Sequence, residues 1–286
     1  MKRILVPCNF SPCSEKAIRF AVELAGDIQG EVIVLTVIND TGNAGVESRY
    51  VMEAASREAG LKFEELIKTF SAEVHFRHLI RKGKLLPAVL NCIKREDVAV
   101  VVMGTKGSRG WGEFFMGSNI EKVVRTSPVP VFAVKGHGPL QAIKNIIVPL
   151  NPETDSNKPI AGLITLQKFF KARLHLLHVV ADESMLHADI RPQMELYAKE
   201  QGMVNYSLNV RVRENVREGI IQFARETQAD MIFMQIRRNR DLKHLYITSV
   251  AADVVNHSAI LTCTWGVNRR PSKTKLAPSP VFTPAS

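Results

Sequence analysis

The residues with the strongest chemical pattern lie in one segment, GTKGSRGWGEFFMGSN, from Gly104 to Asn119, with five glycines within fourteen residues. Glycine reaches positive φ at little cost and carries no side chain, so its main-chain N–H groups can approach a ligand closely. The pattern predicts a helix that starts at Ser118, and a helix N-terminus offers unpaired N–H groups and the positive end of a dipole to an anion. Gly117 and Ser118 therefore read as a seat for a phosphate. Lys106 and Arg109 add positive charge beside it, which suits a polyphosphate. Glycine count alone equally allows a surface loop of tight turns with Ser118 as a plain cap, so the position of the segment in the fold has to decide. Two other phosphate-binding patterns are excluded: the chain has no G-x-x-x-x-G-K-[ST] and no G-x-G-x-x-G after its first strand.

Other candidates are weaker. His75 and His78 are three apart in an expected strand and point to opposite faces, as do His175 and His178, so neither pair predicts a metal site. Glu113 is the only carboxylate that sequence places near a γ-phosphate; it reads as a solvated loop charge, with orientation of a water or of Mg²⁺ as the alternative. Trp111, Phe114 and Phe115 read as packing the loop down or meeting a partner. Cys8 and Cys13 are separated by four residues, not two, and the four cysteines form no disulfide framework.

The elements that must position the glycine segment repeat. RILVPCN from Arg3 recurs as NIIVPLN from Asn145, and EVIVLTVI from Glu31 as RLHLLHVV from Arg173, both at an offset of 142. The region around Met103 recurs around Met234, and KVVRTSPVPVFAV recurs as DVVNHSAILTCTW, at an offset of 131. The second copy thus has a deletion between its second and third strands, and the repeat predicts domains at 1–138 and 139–267. In the first copy Ser11 caps a helix with Pro12 at its first position, and Ile18, Ala21, Val22 and Ala25 give it an apolar stripe. Further strands are expected near 31–38, 74–80, 98–103 and 129–134, with helices near 47–70, 85–95 and 118–126. Strand alternating with helix predicts an α/β fold: two tandem doubly wound open parallel sheets, each with order 3-2-1-4-5. Ligands bind such sheets outside the carboxyl ends of the strands where the winding reverses, here between Pro7 to Asn9 and Met103 to Gly104.

Gly104, two residues, Gly107, nine residues, then Gly117-Ser118 resembles the G-2x-G-9x-G-[ST] signature of the ATP-binding branch of the universal stress protein family. ILVPCNFSPCSEKAIRFAVELA and SPVPVFAVK are similar to that family's opening and closing elements. The resemblance implies that Met103, Gly104, Gly107, Gly117, Ser118 and Asn119 hold ribose and phosphates of ATP, with Pro7, Cys8, Asn9 and the backbone around Val37 framing the adenine. The family usually has an aspartate where this chain has Asn9, which puts affinity and base preference in question. It also implies a nucleotide-binding stress or regulatory module acting on a protein partner. The closing strands of the two copies would pair as an intramolecular pseudo-dimer, with further homo-oligomer formation open. The Mg²⁺ that accompanies ATP elsewhere remains an open companion.

In the second copy Gln235, Arg238 and Thr248 stand where the first has Gly104, Gly107 and Gly117, leaving Ser249 alone of the phosphate seat. Arg237, Arg238 and Arg240 could fill that site with their own charge or bind a different anion, and the expectation is that this copy is empty. No nucleophile, base and oxyanion set accompanies the first site, so hydrolysis is expected to be slow or absent; a slow ATPase or phosphotransferase and a nucleotide-free adaptor are the alternatives. The net charge of +10 is thin on each copy and concentrated in RRPSKTKLAPSPVFTPAS, so 268–286 is expected to be a disordered basic tail. Nucleic acid is accordingly not the expected partner. No apolar run spans a bilayer and no signal region opens the chain, so a cytoplasmic location is the expectation.

Overall fold

The computed structural model describes residues 1–39, 46–70, 74–105, 115–136, 139–152, 160–237, 242–267 and 282. The chain divides into two compact units, Met1–Lys135 and Gly136–Pro284.

The first unit alternates strand and helix: β1 Lys2–Pro7, α1 Pro12–Ile28, β2 Gly30–Ile38, α2 Val46–Ile67, β3 His75–Lys82, α3 Leu85–Arg95, β4 Val98–Gly104, α4 Phe115–Thr126 and β5 Val131–Val134. Its strands run in the order β3-β2-β1-β4-β5 and every described pairing is parallel. β1 is central: Leu5 lies between Ile33 of β2 and Val101 of β4. Val100, Val101 and Val102 of β4 are fully buried, as expected of a strand covered on both faces. Each contributes about 1.5–3 kcal/mol by leaving water.

The start of α1 follows its sequence signals. Ser11 is the N-cap, its hydroxyl accepts from the Ser14 N–H, and Pro12 occupies the first turn. Ala17, Ile18, Phe20, Ala21, Leu24 and Ala25 form the buried face, and the helix ends at Gln29 in the left-handed region. At the amino edge of the sheet Glu31 pairs with Arg3 and Arg77, each at 3.3 Å, while Arg77 also reaches Glu96 at 2.8 Å. These charges tie β1, β2, β3 and the turn before β4 together, at the end opposite the expected ligand crevice.

The second unit repeats the design: β6 Asn145–Pro149, α5 Ala161–Phe170, β7 Arg173–Val180, α6 Ile190–Glu200, β8 Tyr206–Val212, α7 Val216–Glu226, β9 Met231–Arg237, α8 Leu242–His257 and β10 Leu261–Val267. Its order is β8-β7-β6-β9-β10. The correspondence reaches single backbone groups. Lys171 ends α5 in the left-handed region as Gln29 ends α1, and Gln228 before β9 matches Asp97 before β4. The Cys8 N–H donates to the Leu35 carbonyl at 2.9 Å, and the Leu150 N–H donates to the Leu177 carbonyl at the same distance.

One boundary departs from expectation. The helix after the glycine segment begins at Phe115, not Ser118. Met116, Ile120, Val123 and Val124 extend the helical apolar spacing backward, which outweighs the cap preference of Ser118 and the cost of about 1 kcal/mol for Gly117 inside a helix.

Candidate functional site

The crevice edge begins where β1 ends. Pro7 is buried, Cys8 is 5% exposed and Asn9 is exposed. The chain then turns through Phe10, which sits at φ 59, a conformation costly for a residue with a Cβ. Three contacts hold this turn: the Phe10 N–H donates to Cys8 Sγ at 3.2 Å, the Ser11 N–H to Asn9 Oδ1 at 3.3 Å, and Ser14 Oγ to the Ser11 carbonyl at 2.8 Å. The side-chain oxygen of Asn9 is thus engaged in its own turn. Cys8 Sγ lies 3.5 Å from Ser14 Oγ, and burial, the largest influence on it, raises the thiol above its ordinary pKa. Cys8 therefore enters the site as a packed thiol and not as a thiolate.

The other edge is the end of β4. Met103 is 6% exposed and pairs with Ala133, and Gly104 pairs with Val134. A Cβ on Gly104 would stand 1.9 Å from the Cys13 carbonyl oxygen and 2.9 Å from the Ser14 nitrogen. The first turn of α1 therefore rests directly on the end of β4. Gly104 has a packing reason for its identity whether or not a ligand is present.

Thr105 follows, 6% exposed, its N–H donating to the Val134 carbonyl at 2.8 Å. Its Oγ1 is buried and has no hydrogen-bond partner among the described residues. Leaving such a group unsatisfied costs about 1–3 kcal/mol. Sequence reading passed over Thr105, and only its place directly after Gly104 could have drawn attention to it.

Val37, half-buried in β2, pairs with Arg81. Asn119 is half-buried in α4. The backbone of Gly117 and Ser118 lies in α4, whose first-turn amides, up to Gly117, have no acceptor within the helix. Gly107 and Arg109, with Lys106, Trp111, Glu113 and Phe114, lie outside the described residues. Pro7, Cys8, Asn9, Met103 and Gly104 thus meet at the carboxyl ends of β1 and β4.

An open cleft of about 390 Å³ adjoins this edge, lined by Asn9, Phe10, Glu15, Arg19, Lys62 and Glu65 with Leu66 and Thr69. It runs between α1 and α2 and mixes both signs of charge. No motif in the sequence announced it. Above it His78 stacks on Phe63 at 4.4 Å and faces Thr36 Oγ1 at 2.9 Å; burial lowers its pKa. His175 contacts Asn145 and Ser207. Both histidines are occupied by protein partners. Among the described residues no group of three or more His, Cys, Asp or Glu side chains could hold a metal ion.

In the second unit Gln235 stands where Gly104 does, in register with Trp265, and a Cβ on Gly162 would stand 2.4 Å from the Trp265 ring. His178 Nδ1 lies 3.0 Å from the Leu150 carbonyl, at the position of Cys8. Arg238 and Arg240 lie outside the described residues. Among the described residues no helix is long and apolar enough to cross a membrane.

Comparison with known proteins agrees with this fold. A universal stress protein of Bacillus subtilis is 30% identical over 145 residues, covering 46% of this chain and 98% of that protein. A universal stress protein of Synechocystis is 21% identical over 295 residues, covering 93% of this chain and all 100% of its own length. A solved universal stress protein from Archaeoglobus fulgidus superposes with a TM-score of 0.65 at 20% identity, over 92% of this chain and 98% of that one, a likeness of fold. The sequence model of the universal stress protein family matches residues 1–135 and again 142–260. With each of its two units matched in turn, the chain belongs to the universal stress protein family.

Proposed function

We propose that the first unit binds ATP at the carboxyl ends of β1 and β4, and that the second unit does not. The observation that carries this reading is the buried Thr105 hydroxyl, without a partner among the described residues, directly after Gly104 and ahead of the first-turn amides of α4. A polar group so placed is satisfied by a ligand oxygen, and the amides ahead of it suit the phosphates of the same ligand. Asn9, Val37 and Met103 would frame the nucleoside, and Gly107, Arg109, Gly117, Ser118 and Asn119 the phosphates. Mg²⁺, if it accompanies the nucleotide, would be held by the phosphates, with Glu113 as the carboxylate nearest in sequence.

Occupancy would act by differential binding. ATP that favours one arrangement of the glycine segment changes the affinity of the adjoining surface for a protein partner by that same differential. One observation favours a nucleotide-free adaptor instead: Gly104 is already explained by its contact with Cys13. Mass spectrometry of small molecules released from gently purified protein separates the two. The nucleotide reading expects ATP or its hydrolysis product with the wild type and none with Gly117→Val. Nothing bound to either protein, together with no calorimetric response to added ATP, would establish the adaptor.

A further inference from the structure

The two units differ most informatively where α5 meets β10. In the first unit the corresponding contact is Phe20 against Phe132, rings 5.2 Å apart. Gly162 and Cys263 stand at those two positions in the second unit, and the lost volume is taken by Trp265, where the first unit has Val134. Its indole lies against the backbone of α5: ring atoms would be 2.4 Å from a Gly162 Cβ. Phe169 stands where the first unit has Asp27, so a charge is replaced by an aromatic ring. Together these changes build an aromatic socket that the first unit lacks.

The socket is filled. Phe282 is 1% exposed, its ring 5.7 Å from that of Phe169 at 61° and 6.2 Å from that of Trp265 at 53°. Phe169 in turn meets Phe170 edge-on at 4.9 Å. These are favourable aromatic geometries. Phe282 lies in the stretch that composition marked as disordered, of which residues 268–281 and 283–286 are outside the described residues.

We propose that Gly162, Phe169 and Trp265 form a docking socket on the second unit that takes Phe282, an anchor from the chain's own C-terminal stretch. The sequence around the anchor suits this role. Pro280 and Pro284 flank Phe282 at two residues on either side, and proline restricts the unbound chain, lowering the entropy lost on docking. The covalent link from β10 holds the anchor near its socket at an effective concentration on the order of millimolar, so a plug of modest affinity stays seated.

The test uses the full chain with Trp111→Phe, which leaves Trp265 as the only tryptophan. Phe282→Ala should red-shift Trp265 emission, raise its quenching by acrylamide severalfold, and accelerate tryptic cleavage after Arg269, Lys273 and Lys275 by a similar factor. Phe282→Leu, which keeps an apolar anchor, should retain most of the shielding, and a chain ending at Val267 should reproduce the alanine variant. Unchanged emission and quenching in both the alanine variant and the shortened chain would overturn the proposal. So would loss of shielding accompanied by a fall from dimer to monomer in light scattering, because the anchor would then come from a second copy.

Discussion

Gly104→Ala tests how the crevice is built. The added Cβ would lie 1.9 Å from the Cys13 carbonyl oxygen, 2.3 Å from the Cys13 carbonyl carbon and 2.9 Å from the Ser14 nitrogen, all of them backbone atoms. No rotamer change can relieve these contacts. Restoring an ordinary 3.4 Å separation requires the first turn of α1 to retreat from β4 by about 1.5 Å, the difference between the two distances. Overpacking of this kind costs about 1–3 kcal/mol. Strain on the Ser11 cap and on the Phe10 turn, both on the displaced segment, adds about 1 kcal/mol. The expected loss is therefore about 3 kcal/mol for the first unit. Gly26→Ala is the control: it lies within α1 with nothing within 4 Å of its Cβ, and should stabilise by about 0.5–1 kcal/mol. Amide hydrogen exchange of first-unit strands in each variant, with denaturant melts by circular dichroism, gives both numbers. A Gly104→Ala protein within about 0.5 kcal/mol of wild type, smaller than the smallest overpacking cost, would refute the argument.

Further outcomes follow from the same contacts. Asn9→Asp keeps an oxygen for the Ser11 N–H and presents a second, charged acceptor to the crevice, so ATP affinity should rise about tenfold in calorimetry; unchanged or weaker binding would contradict the role given to Asn9. Glu31→Gln removes the charge shared by Arg3 and Arg77 and should cost about 1 kcal/mol in a urea melt at low salt and less at high salt. Burial lowers the pKa of His78 and also, with help from Arg173, that of His175. The unfolded chain therefore takes up protons first as the pH falls. Stability should be unaffected above the ordinary histidine value of about 6.5 and decline from there down to the lowered folded values. His78→Gln should flatten part of that decline in melting temperature measured against pH, and an equal slope in the two proteins would exclude His78 as its source.

The fold was legible because each local signal agreed with the global pattern. VAVVVM reads as a doubly covered strand and is one, and Ser11-Pro12 reads as a helix start and is one. The repeat offsets hold down to matching left-handed residues at Gln29 and Lys171. The start of α4 was misplaced because cap preference and apolar periodicity disagree between Phe115 and Ser118, and periodicity carries the larger energy. Gly104 drew attention for the right position and an incomplete reason: its closest constraint is the Cys13 carbonyl, a contact between residues ninety-one positions apart in sequence. Phe282 was hidden for the same cause. A lone aromatic among Pro, Ser and Lys carries no periodicity, and its socket exists only where Gly162, Phe169 and Trp265 meet in space.

The stoichiometry of ATP binding to the full chain, measured by titration calorimetry, bears most directly on the nucleotide site. One ATP per chain, lost in Gly117→Val and retained in Ser249→Ala, is the expected result. Two per chain, or binding that survives Gly117→Val, would contradict a site confined to the glycine segment of the first unit.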